Sequence, residues 1–374
     1  MTDAAPALAP LWSPALVRVT VTLMLGAAVA NLFVIAPRFL GDAGYDKHEI
    51  GIVMGAFNGA ALVGFPVIAW LTARFGYARV ISAGCVVTAL GALAFALASE
   101  LVGYTAARAV QGLGLAALMV GAASFVAEIA PPGRLGEALG VSGILTLVAQ
   151  AIGPALAQVI HDHAGWPWVW RAGIVSGLAA AAVAITLPAV PRRPDDAAAP
   201  RRAAAIVLIA TALAGIGFGV IWTFLADYGP KVGVPTVTGF FVAYVVAAVA
   251  TRLMIGTLSD RVGRRVAATP ALIGHTLALI GMSQLGARWH LIAIGLGYGL
   301  CHGIYYPTLQ ALTVERSGGS RSHAIAAFTF AFGAGIVIAA FALGPVARAY
   351  GYTSIYMCAA AAGAASAALV WWRA

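Results

Sequence analysis

Charge is what this chain has least of. Asp, Glu, Lys and Arg supply 9% of its 374 residues, against roughly a quarter in soluble domains. That scarcity excludes a soluble globular enzyme, which could not cover its surface. Hydrophobic residues reach 61% and the mean hydropathy is +0.93. Disorder is excluded for the opposite reason, because disordered chains are poor in apolar residues. The 44 glycines show no three-residue period, which removes a collagen-like chain. Segments of about ten residues alternating apolar and polar, the mark of a membrane β-barrel, are missing too. Cysteine is rare, and Cys85, Cys301 and Cys358 sit inside apolar runs, where they read as small buried hydrophobes rather than disulfide partners. No H-E-x-x-H occurs, and His161-Asp162-His163 offers too few ligands for a metal site. Neither an enzyme, nor a metal, nor any cofactor is expected. Residues 1–14 carry no basic segment before an apolar one, so a cleaved leader is not expected.

What is present is a series of continuous apolar runs of about 20 residues, the length of a helix crossing a bilayer. Twelve are expected, near 15–39, 50–73, 79–99, 101–127, 137–160, 168–190, 203–227, 236–259, 266–286, 290–314, 322–347 and 352–372. The chain therefore reads as an all-α membrane protein of twelve transmembrane helices. The net charge of +9 is an excess of basic residues in alternate loops, not a nucleic-acid surface. One side collects thirteen Lys and Arg, among them Arg74, Arg134, Arg261, Arg264, Arg265 and Arg321, and the other collects six. The richer side is cytoplasmic by the positive-inside rule, so both termini face the cytoplasm and the protein belongs in the cytoplasmic (inner) membrane.

The longest polar run, 191–202, reads PRRPDDAAAPRR and has linker chemistry. It separates a half at 1–190 from a half at 203–374. An offset of 187 residues brings Arg74 onto Arg261, Gly76 onto Gly263, Gly112 onto Gly299, Glu128 onto Glu315 and Arg134 onto Arg321. Charged residues this scarce do not align by accident. Two pseudo-symmetric six-helix bundles follow, each with an even number of spans and hence the same orientation.

Gly256-Thr-Leu-Ser-Asp260-Arg261-Val-Gly263-Arg264-Arg265 closes span eight and opens span nine. It closely resembles the G-x-L-x-D-R-x-G-R-R signature of the major facilitator superfamily. The first-half copy, ending Ala73-Arg74-Phe-Gly76-Tyr77, lacks the acid, so its latch must be weaker or use Glu128, with Arg74 or Arg79 as partner. Arg108-Ala-Val-Gln111-Gly112-Leu-Gly114 in span four resembles that family's R-x-x-Q-G-x-G motif. Gly143 and Gly153-Pro154 in span five partly resemble its drug-antiporter motif, with Ala157-Gln158 where small glycines belong. The resemblance implies the family's fold, parallel repeats about an axis along the membrane normal, and a substrate cavity near the midplane between the halves. It also implies gating by the loop residues Arg74, Glu128, Arg134, Gly256, Asp260, Arg261, Gly263, Arg264, Arg265, Glu315 and Arg321.

In that fold the polar residues of the cavity-lining spans are the substrate-binding candidates. They are Asn31, Asn58, Arg108, Gln111, Gln150, Trp222, Tyr244, His302, Tyr305, Tyr306 and Gln310, with Phe328 and Phe332 beside them. Arg108 lies seven residues into its span, about 10 Å deep, and an intramembrane arginine is expensive enough to suggest function. On span ten, Gly295, Gly299 and Gly303 form a smooth packing face, and His302, Tyr306 and Gln310 form a polar one. No Asp or Glu lies deep in a span; Asp42, Asp227, Glu128 and Glu315 are near the ends. Coupling to protons would then fall to Asp227, to His302, whose ordinary pKa is near neutrality, or to Arg108 competing for an anion. A cavity with an arginine, a histidine and no acid favours neutral or anionic substrates. The expected function is secondary transport of a small organic solute by alternating access, with proton-coupled export ahead of uptake or exchange of an organic anion through Arg108. A non-transporting membrane sensor on the same scaffold is the remote alternative. The expected partners are that solute, the lipid bilayer and the coupling proton. Nucleic acid is not among them, and the chain is expected to act as a monomer.

Overall fold

The computed structural model describes residues 12–131, 135–190, 202–255, 262–317 and 321–373. They form thirteen α-helices: α1 Pro14–Leu32, α2 Ala36–Asp42, α3 Lys47–Phe75, α4 Tyr77–Leu97, α5 Leu101–Ile129, α6 Leu135–Ala164, α7 Trp166–Ala184, α8 Arg202–Lys231, α9 Thr238–Ile255, α10 Arg264–Ser283, α11 Arg288–Ser317, α12 Arg321–Tyr350 and α13 Tyr352–Arg373. Span one is α1 and α2 together. It is one continuous helix in expectation, yet a 3-10 turn at Phe33–Ile35 divides it. Pro37 occupies the first turn of α2, where its missing N–H costs least. Pro307 is carried inside α11.

Nine helical segments among the described residues are long and apolar enough to cross a membrane. The other three positions of the twelve belong to α6, α9 and α11. The last of these is among the least hydrophobic helices of the chain. Its polar residues are the candidate site.

The 187-residue repeat recurs as geometry. Gly76 opens α4 with φ 84° and Gly263 opens α10 with φ 93°. This is a backbone conformation open to glycine and strained for any residue with a Cβ. Tyr77 Oη donates to Glu128 Oε1 at 3.0 Å, and Arg264 Nε donates to Glu315 Oε1 at 3.0 Å, so each half ties its odd-even helix pair at corresponding positions. Gly112 of α5 lies against the backbone carbonyl of Phe57 on α3, and Gly299 of α11 lies against that of Tyr244 on α9. Phe57 and Tyr244 are themselves 187 apart. The expected smooth face of α11 is the one packed on α9: Gly295 meets Phe240, Gly299 meets Tyr244, and Gly303 meets Ala248 and Thr251. Close approach of this kind drives helix association where lipid removes the hydrophobic incentive.

The halves meet mainly through α3 with α12 and α6 with α9. The close contacts of α3 with α12 begin at the face carrying the Asp46 loop. There Gly344 sits against His48 and Lys47, and Gly55 against the Phe341 ring. Val34 and Leu147 of the first half are buried in the hydrophobic core of the second, with Val220, Phe224 and Phe241. Arg348 Nη1 reaches Asp46 Oδ2 at 3.2 Å, and Lys47 Nζ donates to the Ala347 carbonyl at 3.2 Å. The Asp46 face is thus bolted between the halves.

Candidate functional site

The first-half wall is built on α5. Arg108 is 3% exposed, and its Nη1 donates to Gln111 Oε1 at 2.6 Å, one turn along the same helix. The guanidinium lies 4.3 Å from the Phe57 ring centroid and 5.7 Å from that of Phe33. The 3-10 turn after α1 places Phe33 there. Buried Nε of Arg108 and Nε2 of Gln111 have no partner. Flat aromatic faces hold the charge by their quadrupoles, leaving hydrogen-bonding capacity for something else. Asn31 uses its amide on its own helix, donating to Ala27 O at 2.8 Å, and Gly153 of α6 packs on it. Gln150, half-buried on α6, has a buried and unpartnered Oε1. Asn58 is half-buried on α3.

The second-half wall centres on α11. Tyr244 Oη and His302 Nδ1 are hydrogen-bonded at 2.9 Å, and His302 Nε2 is buried without a partner. In the tautomer where Tyr244 donates, Nε2 carries an unused proton; in the other it is an unused acceptor. Around the imidazole stand Phe218 at 5.5 Å, Tyr306 at 5.1 Å and Phe332 at 6.1 Å between centroids. Phe218 and Trp222 are stacked at 3.8 Å, one turn apart on α8. Tyr306 meets Phe328 and Phe332 edge-on, at 4.9 and 5.0 Å. Gln310 lies two turns from His302, half-buried. Tyr305 is fully buried between α11 and α10, 5.1 Å from the ring of His275 and 5.3 Å from that of His302.

Asp227, 4% exposed near the end of α8, is not near His302 but at the Asp46 face. Its Oδ2 accepts from Lys231 Nζ at 2.6 Å and from the Tyr352 hydroxyl. Lys47 of the other half stands 4.7 Å over the Tyr352 ring. Of the loop residues, Arg264 and Glu315 pair with each other, Glu128 accepts from Tyr77, and Arg74 and Arg265 are exposed at helix ends. Arg134, Gly256, Asp260 and Arg261 lie outside the described residues, as does the side chain of Arg321.

Sequence reasoning missed two groups. The bolt of Asp46, Lys47, Arg348 and Tyr352 joins residues about 300 apart, which no local motif signals. Arg252, inside α9, was visible. Once the loop basics, Arg18 and Arg108 are assigned, it alone of the 22 Lys and Arg remains, within an apolar run.

Much of the fold is shared with solved transporters. The nucleoside transporter NupG superposes with a TM-score of 0.79 at 11% identity, covering 96% of this chain and 98% of that one. A bacterial homologue of the human lysosomal transporter Spinster, in an inward-facing and unoccupied conformation, gives 0.73 at 14% identity, covering 95% and 94%. At these identities the likeness is one of fold. Among sequences, the uncharacterized transporter YebQ of Escherichia coli strain K12 is 30% identical over 211 residues, 54% of this chain and 45% of that protein. The multidrug export protein EmrB of Haemophilus influenzae is 25% identical over 185 residues, 48% of this chain and 36% of that protein. The chain spans less than half the length of these curated relatives. The family model of the Major Facilitator Superfamily matches it twice, at residues 19–208 and 207–374, once for each half. With twelve helical positions in two bundles and both halves matched, the chain belongs to the major facilitator superfamily, a family of membrane transporters of small solutes rather than of enzymes.

Proposed function

We propose that this protein exports a small organic solute from the cytoplasm by alternating access coupled to protons, with the solute held between the Arg108–Gln111 wall and the Tyr244–His302 wall. His302 carries the reading. It is a buried imidazole, fixed by Tyr244 at one nitrogen, unpartnered at the other and enclosed by rings. A bound solute can satisfy Nε2, and a proton arriving there competes with it. The positive-inside count makes the Asp46 face extracellular, and the bolt there then corresponds to a state closed outside, where a solute loads from the cytoplasm. Asp227, engaged by Lys231 and Tyr352, belongs to that outer closure, and His302 is the better proton carrier. The multidrug exporter among the relatives supports the outward direction. The chain acts as a monomer in the cytoplasmic membrane.

Thermal stabilisation of the purified protein by a charge-sorted library of small organics, at two pH values, tests this. A ligand that binds only the native state must raise apparent stability. Hits lost in His302→Gln, and weakened on acidification, are expected; hits indifferent to both overturn the reading. Arg108 favours a second reading, uptake or exchange of an organic anion, because its buried guanidinium has an unpartnered Nε and no carboxylate among the described residues bonded to it. Hits confined to anions and lost in Arg108→Ala would select it.

A further inference from the structure

Arg252 has no role in any motif. It lies fourteen residues into α9, about 21 Å along that helix, where Arg108 is about 10 Å along α5 from the same face. The two arginines therefore straddle the level of the midplane, one on each half. The Nε of Arg252 is buried and unpartnered, and its guanidinium stands 5.9 Å from the ring centroid of Tyr306. Tyr306 in turn is 5.1 Å from His302 and edge-on to Phe332. Arg252, Tyr306, His302 and Tyr244 thus form one continuous wall from the Gly76 side toward the Asp46 side. Arg252 is half-buried in the last described turn of α9, and no Asp or Glu among the described residues pairs with it. A guanidinium this far into a membrane helix is costly without a counter-charge, and an anionic solute would relieve that cost.

We propose that Arg252 is a specificity-determining contact for the substrate's negative charge, and that the substrate class is the planar aromatic carboxylates, the ring packed on Tyr306 and Phe332 and the carboxylate on Arg252. The inference rests on the reading of the His302 wall as the solute site. Arg252 suits the role because its planar fork receives a carboxylate through two parallel hydrogen bonds, which a lysine cannot do. It lies on the Gly76 side of His302. A carboxylate loading with the Asp46 face closed therefore meets it before reaching the His302 ring.

The test uses the full chain in lipid nanodiscs, with 2-naphthoate and its neutral analogue 2-naphthamide as probes and calorimetry as the readout. Naphthoate is expected to bind more tightly than naphthamide to the wild type. Arg252→Gln is expected to weaken naphthoate by about tenfold or more and leave naphthamide unchanged. Arg252→Lys, which keeps charge and bulk, is expected to recover part of the loss. Equal binding of both probes to Arg252→Gln and wild type, an equal fall for both, or no binding of naphthoate at all overturns the proposal. His302→Gln run beside them separates the two readings. If His302→Gln loses both probes while Arg252→Gln changes neither, only Arg252's role fails. If His302→Gln binds both as the wild type does, the site itself is misplaced.

Discussion

Asp46 and Arg348, 302 residues apart, are ion-paired at 3.2 Å across the two halves of the molecule. Asp46 also caps α3, its Oδ1 accepting from the backbone N–H of His48 at 2.8 Å and of Glu49 at 3.0 Å. One carboxylate therefore sets where a helix begins and holds the halves together at one face. Both side chains are partly exposed, at 64% for Arg348 and 35% for Asp46, so the pair contributes only about 0.2–1 kcal/mol. Arg348→Gln is expected to shift the balance of states a few-fold toward opening at that face. Cysteine labelling at residue 344 or 48, more rapid in the variant, checks it; unchanged labelling shows that the closure rests on glycine packing alone.

The same carboxylate sets a pH dependence. Burial pushes the Asp46 carboxyl up, but the N–H groups of Glu49 and His48 and the Arg348 charge outweigh it and hold the group below its ordinary value. A depressed acid stabilises the paired state above its ordinary pKa and loses that contribution as pH falls through the lowered one. The bolt is therefore expected to stay intact from neutral pH down to the ordinary carboxylate range and to weaken below it. Labelling at the Asp46 face that changes between pH 7 and 6 would place its proton switch elsewhere.

Tyr244 and His302 make a prediction about stability and binding together. Tyr244→Phe keeps the ring and removes the hydroxyl, leaving His302 Nδ1 buried and unpartnered. A loss of about 1–3 kcal/mol is expected for that orphaned group, read as a lower thermal midpoint. Solute affinity should fall as well, because the imidazole no longer has a fixed tautomer. A full recovery of stability on adding saturating solute would show that the solute replaces the lost partner.

For Arg108 the geometry separates shape from charge. Its guanidinium lies over the Phe57 ring at 4.3 Å while bonded to Gln111. Arg108→Lys retains the charge but not the planar group, and Arg and Lys are not interchangeable at stacked sites. Both Arg108→Lys and Arg108→Ala are expected to abolish transport in proteoliposomes while the protein remains folded. Transport by Arg108→Lys at the wild-type rate would reduce the residue to a point charge.

The repeat can be tested by matched substitutions. Gly112→Val and Gly299→Val each force a side chain against a backbone carbonyl, of Phe57 and of Tyr244. Overpacking of this kind costs about 1–3 kcal/mol, and the two variants are expected to lose similar thermal stability. A large inequality would mean that one half is held by contacts the other lacks.

Length, hydropathy and charge were legible in the chain without any structure, because a bilayer imposes a one-dimensional rule. A segment crosses if it is apolar for about 20 residues, and its loops sort by arginine. The repeat was legible for a related reason: corresponding glycines and acids close corresponding turns, and Gly76 with Gly263, or Glu128 with Glu315, keep their spacing in any fold that uses them twice. Arg108 and His302 also stood out, since polar groups in apolar runs are few. What the tertiary structure decided is which of those groups meet. Tyr305 and Tyr306 are neighbours in sequence and both lie beside His302, yet Tyr305 also packs on His275 whereas Tyr306 meets Phe328 and Phe332, because successive helix positions point about 100° apart. Asp227 is a coupling candidate near a span end by sequence; the fold adds its partners, Lys231 and Tyr352, at the Asp46 face. The partnership of Asp46 with Arg348 depends on where two helices 300 residues apart come to rest. Crossing a membrane is a property of each segment by itself, whereas a site and a gate are properties of distances between segments, which only packing sets.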